Sequence, residues 1–306
     1  MAKPLTRFVR FLFNKIGYDL LRLQKTSIHR EAMSGHGRDG GFAAFEATVT
    51  RETKHFDIYL RSCARVDVFG QSRTRFIGVP KCEVVVRCLR SLVRSVAHAV
   101  ESGLAVPIRL TVVDDHSDES CIERIKAVLA EAPCPTRFVP LQGTGPGASF
   151  LETYSLARSE AKDLIYFAAD DYLHDLPAVL ECVESYGRIA AVWGQEPVLF
   201  PSDYPDRYRH IEPDIILLGS HRHWRRVPAS TGADVMSVAV LKKHWDRYAA
   251  FGRYGVDPSV TEANTINLAL AEVGCFSPLP SLAVHFQHFD TLSPYFDWQK
   301  IWDANA

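Results

Sequence analysis

Ile108-Arg-Leu-Thr-Val-Val113-Asp114-Asp115 and Leu164-Ile-Tyr-Phe-Ala-Ala169-Asp170-Asp171 are the two stretches whose reading decides the fold. Each is a short apolar run that stops on two adjacent aspartates, and such runs read as buried strands. Between them lie a helical pattern over 119–131 with Ile122, Ile125, Val128 and Leu129 inward, and a strand at Arg137–Leu141. A Gly-rich turn, Gly143-Thr-Gly145-Pro-Gly147, and a helix over 148–161 follow. Upstream, Phe56–Cys63 reads as a strand. Residues 83–100 place Val85, Leu89, Leu92, Val93, Val96 and Val100 on one helical face, with Arg87, Arg90, Arg94 and His98 on the other. Residues 176–186 are again helical. Strands alternating with helices of this length predict βαβ units and an α/β fold with a largely parallel sheet. Ligands of such sheets bind outside the carboxyl ends of the strands, which is where both acidic pairs fall.

The chemistry of the pairs follows from their residue types. At Asp114-Asp115-His116-Ser117 a carboxylate can accept hydrogen bonds from a base N–H or from ribose hydroxyls. Ser117, Asp118 and Ser120 equally suit the capping of the next helix. At Asp170-Asp171 two adjacent carboxylates repel, and a bound Mg²⁺ or Mn²⁺ would offset that repulsion. Such an ion bridges carboxylate and diphosphate oxygens and stabilises a leaving nucleoside diphosphate. A solvated cap before the helix at 176 is the competing reading. His221-Arg-His-Trp-Arg-Arg226 reads either as a diphosphate- or sugar-binding segment or as a surface loop. Trp193 reads either as an acceptor contact or as a core residue.

The chain has 306 residues and a net charge of -1, so no global field draws nucleic acid. The seven cysteines are odd in number and form no Cys-x-x-Cys pair. A disulfide framework or zinc knuckle is therefore not expected, and a reducing cytoplasm is. No apolar stretch of 18 residues predicts a transmembrane helix, and no signal-peptide pattern opens the chain. Residues 3–25 form a basic amphipathic pattern, with Phe8, Phe11, Leu12, Ile16, Leu20 and Leu23 among Lys3, Arg7, Arg10, Lys15, Arg22 and Lys25. This segment suits either a membrane interface or docking on the domain or a partner subunit. Residues 34–55 are Gly-rich at their start and read as a linker. The expected organisation is a 1–55 extension and linker, followed by a 56–306 catalytic domain.

Together these elements resemble the family 2 glycosyltransferases, inverting nucleotide-sugar enzymes of the GT-A fold. Val112-Val113-Asp114-Asp115-His116-Ser117 is similar to the family's Val-Asp-Asp-Gly-Ser-type motif. Tyr166-Phe167-Ala168-Ala169-Asp170-Asp171-Tyr172 is similar to its second acidic motif, and the Gly-rich turn and helix over 143–161 lie between the two. The match covers roughly residues 56–190.

The resemblance implies that Asp115 or Asp114 contacts the nucleobase. It implies that Asp171 ligates Mn²⁺ or Mg²⁺ with Asp170 near the ribose or metal, and that His285 is a third ligand. Glu262, in a Thr261-Glu262 pair that opens a predicted helix, would be the base that deprotonates the acceptor hydroxyl, with Asp234 and Asp257 as rivals. Arg61 is counted among the donor-binding residues, although its strand ends in Arg61-Ser62-Cys63 where the family has Pro-x-Tyr/Phe-Asn. The implied partners are a nucleotide-sugar, a UDP-sugar first, and a carbohydrate or lipid-linked acceptor. The implied setting is bacterial surface-polysaccharide or glycolipid synthesis, in the cytoplasm or on the inner membrane face.

Ala169, or Ala168 in the other register, stands where the family usually has its first acidic residue. That departure supports an alternative, a non-catalytic nucleotide- or glycan-binding relative at a membrane. A GT-A-like nucleotidyltransferase is disfavoured because no Gly-rich loop with Lys or Arg follows the first strand. A Rossmann dehydrogenase is disfavoured because the Gly-rich turn lacks G-x-G-x-x-G spacing.

Overall fold

The apolar runs form the strands that their patterns predict. A computed structural model describes residues 51–65, 78–209 and 214–306. The chain divides into two units, Met1–Ala47 and Thr48–Ala306. The first unit, with the amphipathic segment 3–25, lies outside the described residues, as does most of the linker. Arg51 belongs to the second unit and is bound by Asp163 and Glu196.

The strands are β1 (Phe56–Ser62), β2 (Ile108–Asp114), β3 (Thr136–Pro140), β4 (Leu164–Ala169), β5 (Tyr172–His174), β6 (Val198–Leu199), β7 (Ile216–Leu218), β8 (His223–Val227), β9 (Asp234–Ser237), β10 (Cys275–Leu279) and β11 (Ala283–His285). The helices are α1 (Lys81–Glu101), α2 (Glu119–Ala130), α3 (Pro146–Glu160), α4 (Ala178–Trp193), α5 (Val238–Lys243), α6 (Trp245–Phe251), α7 (Ile266–Val273) and α8 (Trp298–Ala304). Helix α4 runs further than its predicted end and stops at Gly194, which takes the left-handed conformation at φ 81°.

Nine strands form one sheet in the order β3-β2-β1-β4-β9-β6-β10-β8-β7. Strands β8 and β9 run against the others, so the sheet is mostly parallel and helices flank it. This is the α/β architecture expected from the strand–helix alternation. Chain order explains the position of the site. The path moves outward from β1 to β2 to β3, then returns through α3 to β4 on the other side of β1. Right-handed crossovers place α3 on the opposite face from α1 and α2. The reversal opens a crevice at the carboxyl ends of β1 and β4.

Aromatic rings fill the α3 side of this junction. Tyr154 meets Phe167 edge-on at 4.8 Å and Tyr248 at 5.1 Å. A second, two-stranded sheet pairs β5 with β11 in antiparallel register, with His285 opposite Tyr172 and Ala283 opposite His174. Leu173, Val284 and Phe286 from this ribbon pack with Val84, Cys88 and Trp302 in a small separate core. The arginines predicted on the polar face of α1 have a structural task. Arg87, Arg90 and Arg94 donate to the carbonyls of Trp302, Asn305 and Ala304, at the carboxyl end of α8. Cations there suit both the orphan carbonyls and the helix dipole.

One expectation is corrected. Cys82 and Cys121 are joined in a disulfide across 39 residues. Helices α1 and α2 lie side by side, so the first turn of each carries one of the two thiols. This proximity is tertiary, and neither the spacing nor the odd total of cysteines reports it.

Candidate active site

Four segments converge at the crevice: the ends of β1, β2 and β4, and the end of β11. Each acidic pair places its two side chains differently. Asp114 is 2% exposed, and Ser62 beside it in register donates to its Oδ1 at 2.7 Å. Ser117 donates to the same oxygen through its hydroxyl at 2.6 Å and to Oδ2 through its backbone N–H at 2.9 Å. Asp114 thus clamps the turn from β2 to α2 internally, while the N-cap of α2, Asp118, makes no side-chain capping bond. Asp115 faces the Gly-rich turn: its Oδ2 accepts from the Gly145 N–H at 2.8 Å, and its Oδ1 lies 2.9 Å from His116 Nδ1. The glycines are required there. Gly145 has φ 87°, and a Cβ on Gly147 would stand 2.4 Å from the Gly252 carbonyl oxygen.

Asp170 is 7% exposed. Lys81 Nζ, from the first residue of α1, lies 2.5 Å from its Oδ1, and the Cys63 N–H donates to its Oδ2 at 2.7 Å. Burial pushes this carboxyl's pKa up, Asp171 adds to the rise, and Lys81 and Cys63 oppose it. Asp170 is thus anchored on both oxygens within the protein, and one lone pair on each stays open to the expected metal or ribose contact. Asp171 takes the outward position. The pairing of β5 with β11 brings His285 to it, with Nε2 3.3 Å from Asp171 Oδ2. The backbone seals the same junction, as the Phe286 N–H donates to the Asp171 carbonyl at 2.5 Å.

Arg61 ends β1 beside Ala169, its register partner on β4. Its guanidinium lies over the Phe150 ring at 3.4 Å, and no hydrogen bond or salt bridge engages it among the described residues. An acidic residue at 169 would sit next to this cation. With alanine there, the half-buried Arg61 has no carboxylate at its register position on β4. Burial pulls its pKa down, and Tyr154, Asp170, Asp171 and Tyr172 oppose that shift. An arginine stays protonated in such a setting.

Glu262 does not open a helix as predicted, since α7 begins at Ile266. It sits in the preceding turn, and its carbonyl accepts from the Asn267 N–H at 2.9 Å. Its carboxylate has no hydrogen-bond partner among the described residues. Burial pushes its pKa up, while the nearby charges of His285 and Arg61 pull it down. A carboxylate left without a hydrogen-bond partner keeps its lone pairs open to a donor.

Of the two rivals, Asp257 is held in a local turn and Asp234 lies within the electrostatic reach of Glu262. Asp257 forms a local turn with Ser259, whose hydroxyl donates to it at 2.6 Å. Asp234 is 2% exposed at the start of β9, and burial with Glu262 nearby raises its pKa to about 7. Its Oδ1 has no partner among the described residues.

The other sequence candidates are structural. In the His221–Arg226 segment, Trp224 is fully buried on β8. Glu181, itself 1% exposed, accepts from the Trp224 indole at 3.1 Å and from the backbone N–H groups of His221 and Arg222. Trp193 donates to the Val273 carbonyl at 2.7 Å and packs on Phe276.

Residues that the sequence did not single out complete the site. Lys81 has no local signal, because a lysine at a helix start suggests only surface. Tyr204 lies 3.1 Å from His285 Nδ1 and 2.6 Å from the Thr231 hydroxyl, and the Tyr172 ring stacks on His285 at 4.9 Å.

A divalent cation fits this donor set. Asp171 supplies a carboxylate and His285 an imidazole, both accepted by Mn²⁺. Such ions commonly complete their shells with substrate phosphates and water. No cage of three or more protein ligands gathers among the described residues, so a cation held here would take two ligands from the protein.

No family model and no curated protein sequence matches the chain. Among solved structures it is similar to S. aureus TarS 1–349, at 14% identity and a TM-score of 0.43, over 73% of this chain and 57% of that one. The same TarS fragment in complex with UDP gives 12% identity and a TM-score of 0.39. UDP-glucose pyrophosphorylase from Acinetobacter baumanii gives 11% identity and a TM-score of 0.44, over 83% of this chain and 92% of that one. The chain thus spans 57% of the TarS fragment it matches.

Proposed function

We propose that the chain is a glycosyltransferase that moves a sugar from a nucleoside-diphosphate sugar to an acceptor hydroxyl, with inversion, in the manner of family 2. The observation that carries this reading is the meeting of Asp171 and His285 at 3.3 Å, with Arg61 and Glu262 in the same electrostatic field. In this reading Asp171 and His285 hold Mn²⁺ or Mg²⁺. When bound, the ion neutralises charge that develops on the departing diphosphate.

Arg61 binds a phosphate oxygen from the β1 side, using a guanidinium that no hydrogen bond or salt bridge engages among the described residues. Asp115 and the turn it holds at Gly145 face the nucleobase and ribose, and a UDP-sugar is the first donor to test. Glu262 takes the proton of the acceptor hydroxyl as that oxygen attacks the sugar C1. The acceptor is a carbohydrate or a lipid-linked saccharide of bacterial surface assembly. If residues 3–25 touch a membrane, they bring the enzyme to such an acceptor. No described helix is long and apolar enough to cross a membrane.

The test is thermal stability against UDP-, GDP-, dTDP- and CMP-sugars, with and without Mn²⁺. A ligand at 100 times its Kd adds about 2.7 kcal/mol. The expected result is a Mn²⁺-dependent rise with one nucleotide that Asp171→Asn abolishes. Stabilisation by a nucleotide-sugar that ignores both Mn²⁺ and Asp171→Asn would remove the cation from the reading. The absence of any rise would favour a non-catalytic relative.

A further inference from the structure

Three hydroxyls meet beside His285, and their proton count is constrained. Tyr172 Oη lies 2.5 Å from Thr231 Oγ1 and 3.2 Å from Tyr204 Oη, and Tyr204 Oη lies 2.6 Å from Thr231 Oγ1. The three oxygens form a triangle with three edges. Each hydroxyl carries one proton, so all three edges are hydrogen bonds only when each group donates to the next around the ring. The Tyr204 proton is then spent within the triangle, while its oxygen keeps a lone pair toward His285 Nδ1 at 3.1 Å.

We propose that this hydroxyl ring is a positioning device. Tyr204 accepts from the Nδ1–H of His285 and so leaves the Nε2 lone pair facing Asp171, as a cation ligand requires. The inference rests on the reading in which Asp171 and His285 share a divalent ion. In the opposite tautomer Nε2–H would donate to Asp171, and Nδ1 would need a proton that the ring has already committed. The Nε2 to Asp171 separation of 3.3 Å is long for a bond to a carboxylate, where about 2.7–2.9 Å is usual. The gap is in keeping with two groups that face one another as acceptors.

Orientation is restrained as well. The imidazole stacks on Tyr172 with planes 7° apart, and Tyr172 is its register partner across β5 and β11. Thr291 Oγ1 donates to the His285 carbonyl at 2.7 Å, which holds the backbone. Partners behind a ligating histidine commonly set its tautomer in this way, and their loss costs about 10–100-fold in metal affinity.

The tautomer can be read without any metal. In the full chain labelled with ¹⁵N-histidine, long-range ¹H–¹⁵N spectra distinguish Nδ1–H from Nε2–H, with His285 assigned through His285→Gln. The expected result is the Nδ1–H form at pH 8. It should be retained in Thr231→Ser and lost or mixed in Thr231→Val and Tyr204→Phe. An Nε2–H form in the unaltered chain overturns the proposal, as does the same tautomer in Thr231→Ser and Thr231→Val.

Titration with Mn²⁺ alone, followed by the electron-spin signal of the free ion, tests the reading beneath it. His285→Ala should abolish binding, and Thr231→Val should weaken it about 10-fold or more relative to Thr231→Ser. Binding that His285→Ala abolishes but Thr231→Val leaves intact overturns the ring and spares the cation reading. A correct tautomer with no Mn²⁺ bound overturns the cation reading and, with it, the ring's role in holding a metal.

Discussion

The two acidic pairs look alike in sequence and behave alike in one respect. In each, the first aspartate turns inward and the second faces the crevice. Asp114 closes β2 and Asp115 begins the bend after it, whereas Asp170 and Asp171 form the turn between β4 and β5, so the division comes from the local turns. The pairs differ in what holds the inward residue. Asp114 is held by neutral donors, two from Ser117 three residues on and one from Ser62 next to it in the sheet. Asp170 is held by a cation 89 residues away in sequence, Lys81, and by the Cys63 N–H. A turn held by local hydroxyls needs little from the rest of the chain, whereas a buried charge pair ties β4 to the start of α1. The outward residues differ accordingly. Asp115 is bound into a Gly-rich turn, and Asp171 meets a histidine from the far end of the chain.

The largest expected effect breaks the buried pair. Lys81→Met leaves Asp170 as an uncompensated buried charge and should destabilise by about 3–5 kcal/mol in urea denaturation. Lys81→Met with Asp170→Asn should recover most of that loss. Equal destabilisation in the single and double variants would mean that α1 packing, not charge pairing, sets the cost.

Asp171→Asn separates function from stability. Under the proposed reading, sugar transfer should fall by about 10²–10³-fold, with the urea midpoint unchanged. A large drop in midpoint would put Asp171 in the same structural class as Asp170. Asp114→Ala should cost about 1–3 kcal/mol, through the Ser62 and Ser117 donors left behind. A cost as large as that of Lys81→Met would erase the distinction between neutral and ionic anchoring.

The smallest effect concerns pH. The Asp234 carboxyl has its pKa raised by burial to about 7. Between about pH 4 and pH 7 the unfolded chain has released this proton and the folded chain keeps it. Its stabilising contribution is therefore full below about pH 4 and is lost as pH rises through about 7. The slope is at most about 1.4 kcal/mol per pH unit. Asp234→Asn should flatten it in urea midpoints taken from pH 4 to pH 8, and an unchanged slope would assign the dependence to other groups.

The first half of the fold was legible because its signals are local. Apolar runs of strand length, amphipathic helices and a Gly-rich turn each report on their own neighbourhood. Glu262 shows the limit: an apolar period downstream suggested that a helix opened at Thr261, but the backbone turns until Ile266. The His221–Arg226 segment looked basic and exposed because composition does not reveal Glu181, which lies 40 residues away from His221 and receives its donors. The Cys82–Cys121 disulfide likewise joins residues 39 apart that no local pattern pairs.

By itself the sequence determined that this chain builds a mostly parallel α/β sheet with carboxylates at its strand ends, since strand period and chain alternation are properties of short segments. The tertiary structure decided which carboxylate of each pair is buried deeper. It also decided that Arg61 stands beside Ala169, and that β11 returns to set His285 against Asp171 with Tyr204 and Thr231 behind it. Those relations join residues far apart in the chain. Burial, register and charge neutralisation act through space, and no local pattern encodes them.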